Sequence, residues 1–186
     1  MPPGEPADPP HRVVSTRVVY ENRWMRLRED VLERDDGSPG LYSVVEKPPA
    51  AVLVPVQDGR VWLVEQFRHP AQGRFWDLPQ GALDAHGERP PEEVARTELE
   101  EETGLRAGRL VHLGRLFFAY GISAQPFDAF FATDLEPGEA RLEETEADLR
   151  CASFSVAEVE DLLREARIVD AASHAAWNLA RMRSLV

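Results

Sequence analysis

The chain has few cysteines, few basic residues and no long apolar run. Cys151 is the only cysteine among 186 residues, so no internal disulfide can form and a reducing compartment is expected. Because unpaired cysteines are usually buried, we expect this thiol to lie in the core. The longest apolar run, about residues 50–56, is far too short to cross a bilayer. Together these absences predict a cytoplasmic protein that does not insert into membranes.

Acidic residues outnumber basic ones. The chain has 33 Asp and Glu against 21 Lys and Arg, a formal net charge of −12. This balance disfavours nucleic acid and anionic membranes as partners, although a few local basic residues can still hold a nucleotide. The length and the 43% hydrophobic content suit one globular domain with its own core. The opening MPPGEPADPP, with five prolines, predicts a disordered tail over residues 1–12 and is not a signal peptide.

Alternating apolar and polar residues predict strands through much of the chain. In the first half these are RVVSTRVVY, WMRLREDVLE, LYSVVE, AVLVPV and VWLVEQF, with residues 57–60 as a hairpin turn. FWDLPQGAL is expected to be a short strand that runs into a loop. Later strands are expected at RLVHLGRLFFAY, PFDAFFATDL and RCASFS, followed by helices over 156–167 and 170–185 that Ser155 and Asp170 can cap.

These elements predict a mixed β-sheet flanked by helices, an α+β fold of the α/β/α sandwich type. The strands of residues 13–47 form an N-terminal antiparallel region, and residues 48–186 form the main domain. One further helix is predicted between Pro90 and Gly104, since proline suits a helix start and glycine a helix end. Its last turns contain four carboxylates in five residues, where the helix dipole favours basic side chains instead.

The rotation of ~100° per residue places these carboxylates on different faces. Glu98 and Glu102 share the apolar stripe and Glu101 lies at its margin. Glu100 points to solvent beside Arg96, with which it is expected to form an (i, i+4) ion pair. Inward carboxylates are costly unless they are protonated, paired or bound to metal, and the residues alone leave these alternatives open. The spacing of Glu98, Glu101 and Glu102 suits a hard cation such as Mg²⁺ or Mn²⁺.

The segment GALDAHGERPPEEVARTELEEETGL resembles the Nudix box, G-x5-E-x7-R-E-U-x-E-E-x-G-U, where U is aliphatic. Gly81 and Glu88 take the places of the first glycine and glutamate, and residues 98–105 match the end of the box without a gap. Each of the two earlier intervals is one residue longer than in the family. Thr97 stands where the family has an arginine that orients the catalytic glutamates. The resemblance implies a hydrolase of nucleoside diphosphates linked to another moiety, with Glu98, Glu101 and Glu102 binding Mg²⁺.

Outside the box, from about residue 13 to residue 185, the chain resembles the ADP-ribose and nucleotide-sugar pyrophosphatases. VEQFRHP places Arg68 where that group has an arginine in contact with a phosphate. FWDLPQGAL implies that the peptide carbonyl of Gln80 is a metal ligand. Trp24 and Tyr42 take the places of aromatic residues that sandwich adenine across a dimer interface. For either aromatic residue alone, packing in a core or an interface is the alternative.

EETEADL, residues 143–149, resembles the late acidic loop that often carries the general base of the family. Glu146 is the predicted base, with Glu143 and Glu144 as alternatives and a solvated loop as the other interpretation. The resemblance thus implies a homodimer that uses Mg²⁺ or Mn²⁺ to cleave ADP-ribose or a related nucleoside diphosphate sugar. The products would be a nucleoside monophosphate and a sugar phosphate, with Glu146, Glu101 and Arg68 as the catalytic residues.

Two other functions stay open at this point. Thr97 favours a nucleotide-binding sensor of this fold whose catalysis is weak. The segment of residues 120–123 replaces a proline-containing loop of the ADP-ribose enzymes, so the terminal sugar or the base of the substrate can differ from those of ADP-ribose. A pyrophosphohydrolase of other nucleotides, such as nucleoside triphosphates or NADH, is the other alternative. The acidic composition disfavours RNA. His69 and His86 flank the predicted site, but Mg²⁺ prefers oxygen ligands, so both are expected to be loop residues.

Overall fold

The computed structural model describes residues 9–82, 89–142 and 146–186. The chain divides into two compact units, one made of Met1–Lys47 with Ala119–Gln125 and the other of Pro48–Phe118 with Pro126–Val186. Residues 1–8 of the expected tail lie outside the described residues, and the first strand begins at His11.

The first unit is a three-stranded antiparallel sheet of order β1-β2-β3. Its strands are β1 (His11–Glu21), β2 (Arg26–Arg34) and β3 (Pro39–Glu46). The turn before β3 contains Gly37 at a φ of 79°, a left-handed conformation that glycine adopts without strain. Residues 119–125 attach to β3, because Val45 donates to the Ile122 carbonyl at 2.8 Å. The predicted N-terminal antiparallel strands are confirmed.

The second unit is built on a seven-stranded mixed sheet with the path β10-β5-β4-β9-β8, in which β6 pairs with β5 and β7 with β4. Only β4 and β9 pair in parallel among the described strands. The strands are β4 (Ala50–Gln57), β5 (Arg60–Arg68), β6 (Gly73–Asp77), β7 (Gln80–Ala82), β8 (Leu105–Phe117), β9 (Pro126–Pro137) and β10 (Arg150–Ser155). The predicted hairpin joins β4 to β5 through Asp58 and Gly59, both with positive φ, as such tight turns require.

Three helices cover the two faces of this sheet: α1 (Pro91–Thr103), α2 (Val156–Arg164) and α3 (Ala171–Met182). Strand β4 lies at the centre and is buried on both faces, so its side chains alternate between two cores. Ala51 and Leu53 pack with α1, whereas Val52 and Val54 pack with α2 and α3. The α/β/α sandwich is therefore confirmed. No helix among the described residues is long and apolar enough to cross a membrane.

The ends of α2 and α3 follow their capping residues. Ser155 and Glu158 form a reciprocal capping box at the start of α2, and Asp170 accepts a hydrogen bond from the Ser173 backbone at the start of α3. Helix α2 stops at Arg164, three residues before the predicted end, and Ala166 just beyond it has a positive φ.

Cys151 is exposed, so its prediction as a core residue is wrong. The reason is topological, because β10 is an edge strand of the sheet and the side chains of an edge strand have fewer neighbours.

Candidate metal and active site

Helix α1 carries the acidic cluster, and its two ends explain where the cluster lies. Pro91 opens the helix with Glu92 and Glu93 in the first turn, where they complement the dipole. Gly104 closes it at a φ of 68° and donates to the Glu100 carbonyl at 2.9 Å. The Arg141 backbone N–H caps the Glu101 carbonyl at 3.0 Å, so a later segment satisfies part of the helix end.

The predicted phase of the helix holds. Val94, Ala95 and Leu99 are buried in the core beneath α1, and Glu102, on the same stripe, is only 2% exposed. Glu98, Glu100 and Glu101 are all half-buried, and Glu100 is the one that the helical phase turns away from Glu102. The helix therefore turns one carboxylate fully inward and leaves the other three partly exposed.

The predicted ion pair between Arg96 and Glu100 is wrong. Arg96 pairs with Glu92 at 3.0 Å, one turn earlier on the helix. Glu100 instead accepts from Arg106 at 2.7 Å, because β8 starts directly after the helix and brings Arg106 alongside. Glu100 still belongs to the outer surface, as the helical phase predicts.

Glu102 is a buried carboxylate with only one of its two oxygens hydrogen-bonded among the described residues. Its Oε2 accepts a hydrogen bond from the Gln80 backbone at 2.9 Å, whereas its buried Oε1 has no hydrogen-bond partner among the described residues. Burial, followed by the charges of Glu146 and Glu98, raises the pKa of Glu102 well above its usual range. A cation at Oε1 would satisfy this atom and offset the three negative charges.

The Glu98 carboxylate lies against the backbone of β7 at Gly81, which has no side chain. A Cβ placed on Gly81 would lie 2.1 Å from Glu98 Oε2, which is far inside contact distance. Gly81 is thus required for close approach, which brings the Glu98 carboxylate against β7 next to Gln80.

The peptide of Gln80 turns towards the same carboxylates. Leu53 donates to the Pro79 carbonyl at 2.9 Å, and the register of β4 with β7 pairs Val52 with Gln80. The bond from Leu53 to Pro79 makes Val52 and Gln80 a non-hydrogen-bonded pair of the antiparallel ladder. In such a pair, the N–H and the carbonyl of each residue point away from the partner strand. The N–H of Gln80 indeed reaches Glu102 at 2.9 Å. The role of the Gln80 carbonyl as a metal ligand stays a prediction.

Arg68 is anchored by a buried aspartate that the sequence analysis did not single out. Its Nε and one terminal nitrogen both donate to Asp77 Oδ2, at 3.0 and 2.7 Å. Burial raises the pKa of Asp77, and the Arg68 charge opposes that effect without overcoming it. Arg68 lies close enough to Glu102 to lower the pKa of Glu102 in part. A cation next to the acidic cluster is thereby held in place for an anionic ligand.

Glu146 lies in a segment that β5 and β6 hold. Asp148 accepts hydrogen bonds from the Phe67 backbone at 3.3 Å and from the Arg74 side chain, and Arg74 also donates to the Asp148 carbonyl at 2.8 Å. The charge of Glu146 contributes to the raised pKa of Glu102, so Glu146 lies near that carboxylate, and its role as the base stays a prediction. Glu143, Glu144, Glu88 and His86 lie outside the described residues.

Thr97, at the position of the family arginine, accepts a hydrogen bond from Arg89 at 3.1 Å. Arg96 next to it is occupied on the outer side of the helix by Glu92 and by the Ala107 carbonyl. A guanidinium group therefore still contacts residue 97, but it belongs to Arg89, which precedes the helix. His69 lies exposed in a short 3-10 turn, His69–Ala71.

The two predicted base-binding aromatic residues belong to the first unit. Trp24 is 44% exposed and the Arg23 guanidinium stacks on its ring at 4.2 Å. Tyr42 is 45% exposed and its hydroxyl donates to the Gly121 carbonyl at 2.6 Å. Neither ring is buried in the core of this unit, and their contact with a base stays a prediction.

The donor set of α1 and β7 fits a hard divalent cation. No three His, Cys, Asp and Glu side chains converge into a ready-made metal cage in the part of the chain that the structure describes. The buried Glu102 Oε1, which has no hydrogen-bond partner among the described residues, is a carboxylate oxygen that such an ion can bind.

Comparison with known proteins places this geometry in a family. Residues 47–175 match the NUDIX domain, and residues 12–45 match the nucleoside diphosphate sugar hydrolase N-terminal domain. An ADP-ribose pyrophosphatase of Mycobacterium tuberculosis is 33% identical over 159 residues, which are 84% of this chain and 76% of that protein. An ADP-ribose pyrophosphatase of Bacillus subtilis is 28% identical over 133 residues, 71% of each protein.

The fold is also that of a solved structure. The crystal structure of an ADP compounds hydrolase superposes with a TM-score of 0.81 and 23% identity, covering 96% of both chains. The NUDIX match includes α1, Gln80 and Glu146 within its limits. The chain therefore belongs to the NUDIX hydrolase family.

Proposed function

We propose that this protein is a Mg²⁺-dependent pyrophosphohydrolase that cleaves ADP-ribose or a related nucleoside diphosphate sugar. The observation that carries the proposal is the state of Glu102 on the NUDIX helix. This carboxylate is buried, its Oε1 has no hydrogen-bond partner among the described residues, and the charges of Glu146 and Glu98 raise its pKa. The match of residues 12–45 to the N-terminal domain of nucleoside diphosphate sugar hydrolases supports the substrate class, as do the two ADP-ribose pyrophosphatases.

The cation would be held by the carboxylates of Glu98, Glu101 and Glu102 together with the carbonyl of Gln80. All four ligands are oxygens, which Mg²⁺ and Mn²⁺ prefer. When bound, the ion would neutralise the charge of the pyrophosphate and lower the pKa of the attacking water.

The side chains of the chain supply the remaining chemistry. Glu146 acts as the general base and takes a proton from the water that attacks phosphorus. The bond from that phosphorus to the bridging oxygen breaks, and the bridging oxygen leaves on the other phosphate. Arg68, fixed by Asp77, offsets charge on the phosphates. With ADP-ribose the products are AMP and ribose 5-phosphate.

The first unit serves base binding and dimerisation in this proposal. Trp24 and Tyr42 stack on the base of the substrate. Large apolar side chains are exposed along β1 and β2, among them Val13, Val14, Val18, Val19, Tyr20 and Val31. Apolar surface of this kind typically marks an interface. Val18→Asp is expected to convert a dimer into monomers in light scattering after size exclusion, whereas Ser15→Asp on the same strand should not. A monomeric wild type would contradict this part of the proposal.

The first experiment is a substrate panel. The purified protein is incubated with Mg²⁺ and ADP-ribose, other ADP-sugars, GDP-sugars, NADH and nucleoside triphosphates. Phosphate released by a coupled phosphatase reports the new phosphomonoesters. Strong turnover of ADP-ribose or another nucleoside diphosphate sugar supports the proposal. Turnover of triphosphates alone would contradict the substrate class.

One observation favours a second function, a nucleotide sensor with weak catalysis. Thr97 replaces the arginine of the NUDIX box, and Arg89 reaches it only from outside the helix. A sensor predicts that ADP-ribose raises the melting temperature without turnover. The same panel, read by thermal shift, separates the two functions.

A further inference from the structure

We propose that Asp170 and Ser173, in the first turn of α3, are positioning residues for the candidate metal site. They hold residues 78–80 so that the peptide of Gln80 faces Glu102. This inference rests on the proposed function, because it assigns to Gln80 the role of a metal ligand. The two residues do not contact the carboxylates themselves and act through Gln80.

Asp170 makes more contacts than a helix cap needs. Its Oδ2 accepts from the Ser173 backbone at 2.7 Å and from the Ser173 hydroxyl at 2.8 Å, and these bonds start α3. The same oxygen accepts a third bond, at 3.0 Å, from Nε2 of Gln80. That bond joins the C-terminal helix to the residue whose peptide faces the acidic cluster.

Ser173 makes a second connection to the same segment. It is 1% exposed, and its hydroxyl oxygen accepts the Leu78 backbone N–H at 3.0 Å. Leu78 is also buried, so this N–H would have no water to bond to if the hydroxyl were removed.

Residues 78–80 are thereby held by three different elements. Helix α3 accepts the Leu78 N–H through Ser173, β4 donates to the Pro79 carbonyl through Leu53, and α1 accepts the Gln80 N–H through Glu102. Pro79 has no N–H, so the segment has two backbone donors, the N–H groups of Leu78 and Gln80, and both donate to side chains of other elements. The two remaining backbone groups are the Leu78 and Gln80 carbonyls. Because the N–H and the carbonyl of one strand residue point to the same side, the bond from the Gln80 N–H to Glu102 also orients the Gln80 carbonyl.

Helix α2 shows what a cap looks like without this additional role. Ser155 and Glu158 bond only to each other and to the backbone at the start of α2. The third bond of Asp170 and the Leu78 bond of Ser173 are absent from this cap. Ser155→Ala is therefore a matched control, since it removes a cap without touching residues 78–80.

The test measures the Mn²⁺ dissociation constant by electron paramagnetic resonance, beside melting temperature and amide exchange of Leu78 and Gln80. Asp170→Ala and Gln80→Ala are the main variants, and Gln80→Ala keeps both the backbone carbonyl and the α3 cap. Both are expected to weaken Mn²⁺ binding about tenfold, the usual cost of a lost supporting contact. Asp170→Asn retains acceptor and cap, so it should restore affinity to within about twofold of wild type. Ser155→Ala should lower the melting temperature and leave Mn²⁺ affinity unchanged.

A double-mutant cycle sharpens the result. If Asp170 acts through Gln80, the Asp170→Ala/Gln80→Ala variant loses no more Mn²⁺ affinity than either single variant. The inference is overturned if Gln80→Ala and Asp170→Ala bind Mn²⁺ like the wild type and only the melting temperature falls, since Asp170 is then a cap alone. Failure of the proposed function looks different: the wild type and Asp170→Asn bind Mn²⁺ but hydrolyse nothing in the panel. A wild type that binds no Mn²⁺ overturns both.

Discussion

Gly81 and Glu98 lie so close that a Cβ on residue 81 would stand 2.1 Å from the carboxylate oxygen Oε2 of Glu98. The contact joins β7, before the acidic helix, to the helix itself. The three atoms nearest to a Cβ on residue 81 all belong to the flexible Glu98 side chain, and none belongs to the backbone. The consequence of filling this space therefore concerns the site more than the fold.

Gly81→Ala is expected to displace the Glu98 carboxylate and leave the protein folded. The side chain can swing aside at small cost, so the melting temperature should change little, while Mn²⁺ affinity and kcat/KM fall by about 100-fold as a metal ligand moves. Thermal melts and steady-state kinetics measure the two effects. Gly121→Ala, where a Cβ meets nothing within 4 Å, is the control for melting temperature and Mn²⁺ affinity. Wild-type activity in Gly81→Ala would exclude Glu98 from the site.

Glu102→Gln should abolish activity while preserving the fold. The amide keeps the size of the side chain but removes the charge that binds the cation, so kcat is expected to fall by about 1,000-fold or more. Kinetics with saturating Mg²⁺ and a circular dichroism spectrum test this prediction. Near wild-type kcat would mean that the metal site lies elsewhere.

Glu100→Gln, two residues earlier on the same helix, should be nearly silent. Glu100 pairs with Arg106 on the surface, and solvent-exposed ion pairs of this kind contribute little to stability. We expect kcat within about twofold of wild type, because the side chain points away from Glu102. A large loss of kcat would show that the phase of α1 differs from the one described.

The metal-free protein should lose stability as pH rises. Burial and two neighbouring carboxylates raise the pKa of Glu102 above the ordinary 4.5, so the native state keeps a proton that the unfolded state has released. Between 4.5 and the raised pKa the native state binds more protons, and the free energy of unfolding therefore falls with rising pH. Glu102→Gln has no titrating group at this position and therefore lacks this contribution to the pH dependence of the free energy of unfolding. Melting temperatures in EDTA should rise for Glu102→Gln relative to wild type across this window, and a difference independent of pH would contradict the assignment.

Arg74→Ala should impair the predicted base without unfolding the protein. Arg74 bonds both the side chain and the carbonyl of Asp148, and its loss loosens the segment that carries Glu146. We expect kcat to fall about tenfold, the scale of a misplaced general base, with unchanged Mn²⁺ affinity. Arg164→Ala, which breaks the surface pair with Asp161, is the matched control for losing an arginine. A weaker Mn²⁺ affinity with normal kcat would argue against this role of the segment.

Cys151 should react slowly with alkylating reagents although the residue is exposed. The residue as a whole is exposed, but its thiol group is partly buried. This partial burial, and then the charge of Glu102, raises the pKa of Cys151 from the ordinary 9.0 to about 11, which lowers the thiolate fraction at pH 8. Iodoacetamide should therefore modify the folded protein much more slowly than the urea-unfolded protein, and the folded rate should keep rising towards pH 11. Equal rates in both states would contradict the raised pKa.

Local patterns predicted the elements well, because strand alternation and helix phase depend on neighbours in sequence. The hairpin at residues 57–60, the caps Ser155 and Asp170, and the inward turn of Glu102 all follow from a few adjacent residues. The box resemblance drew attention to α1 and to the segment after β6. Errors appeared where the outcome depends on a neighbouring element: β8 brought Arg106 beside Glu100 in place of Arg96, and the edge position of β10 exposed Cys151.

The sequence by itself determined the family, the sandwich fold and which face of α1 carries the inward carboxylates. Only the tertiary structure decided how that face is supported. Asp77 holds Arg68, Arg74 holds Asp148, and Asp170 reaches Gln80 across 90 residues of chain. The physical reason is that helical and strand periodicity extends over a few residues. Which buried donor meets which acceptor depends on packing the sheet between its two helix layers.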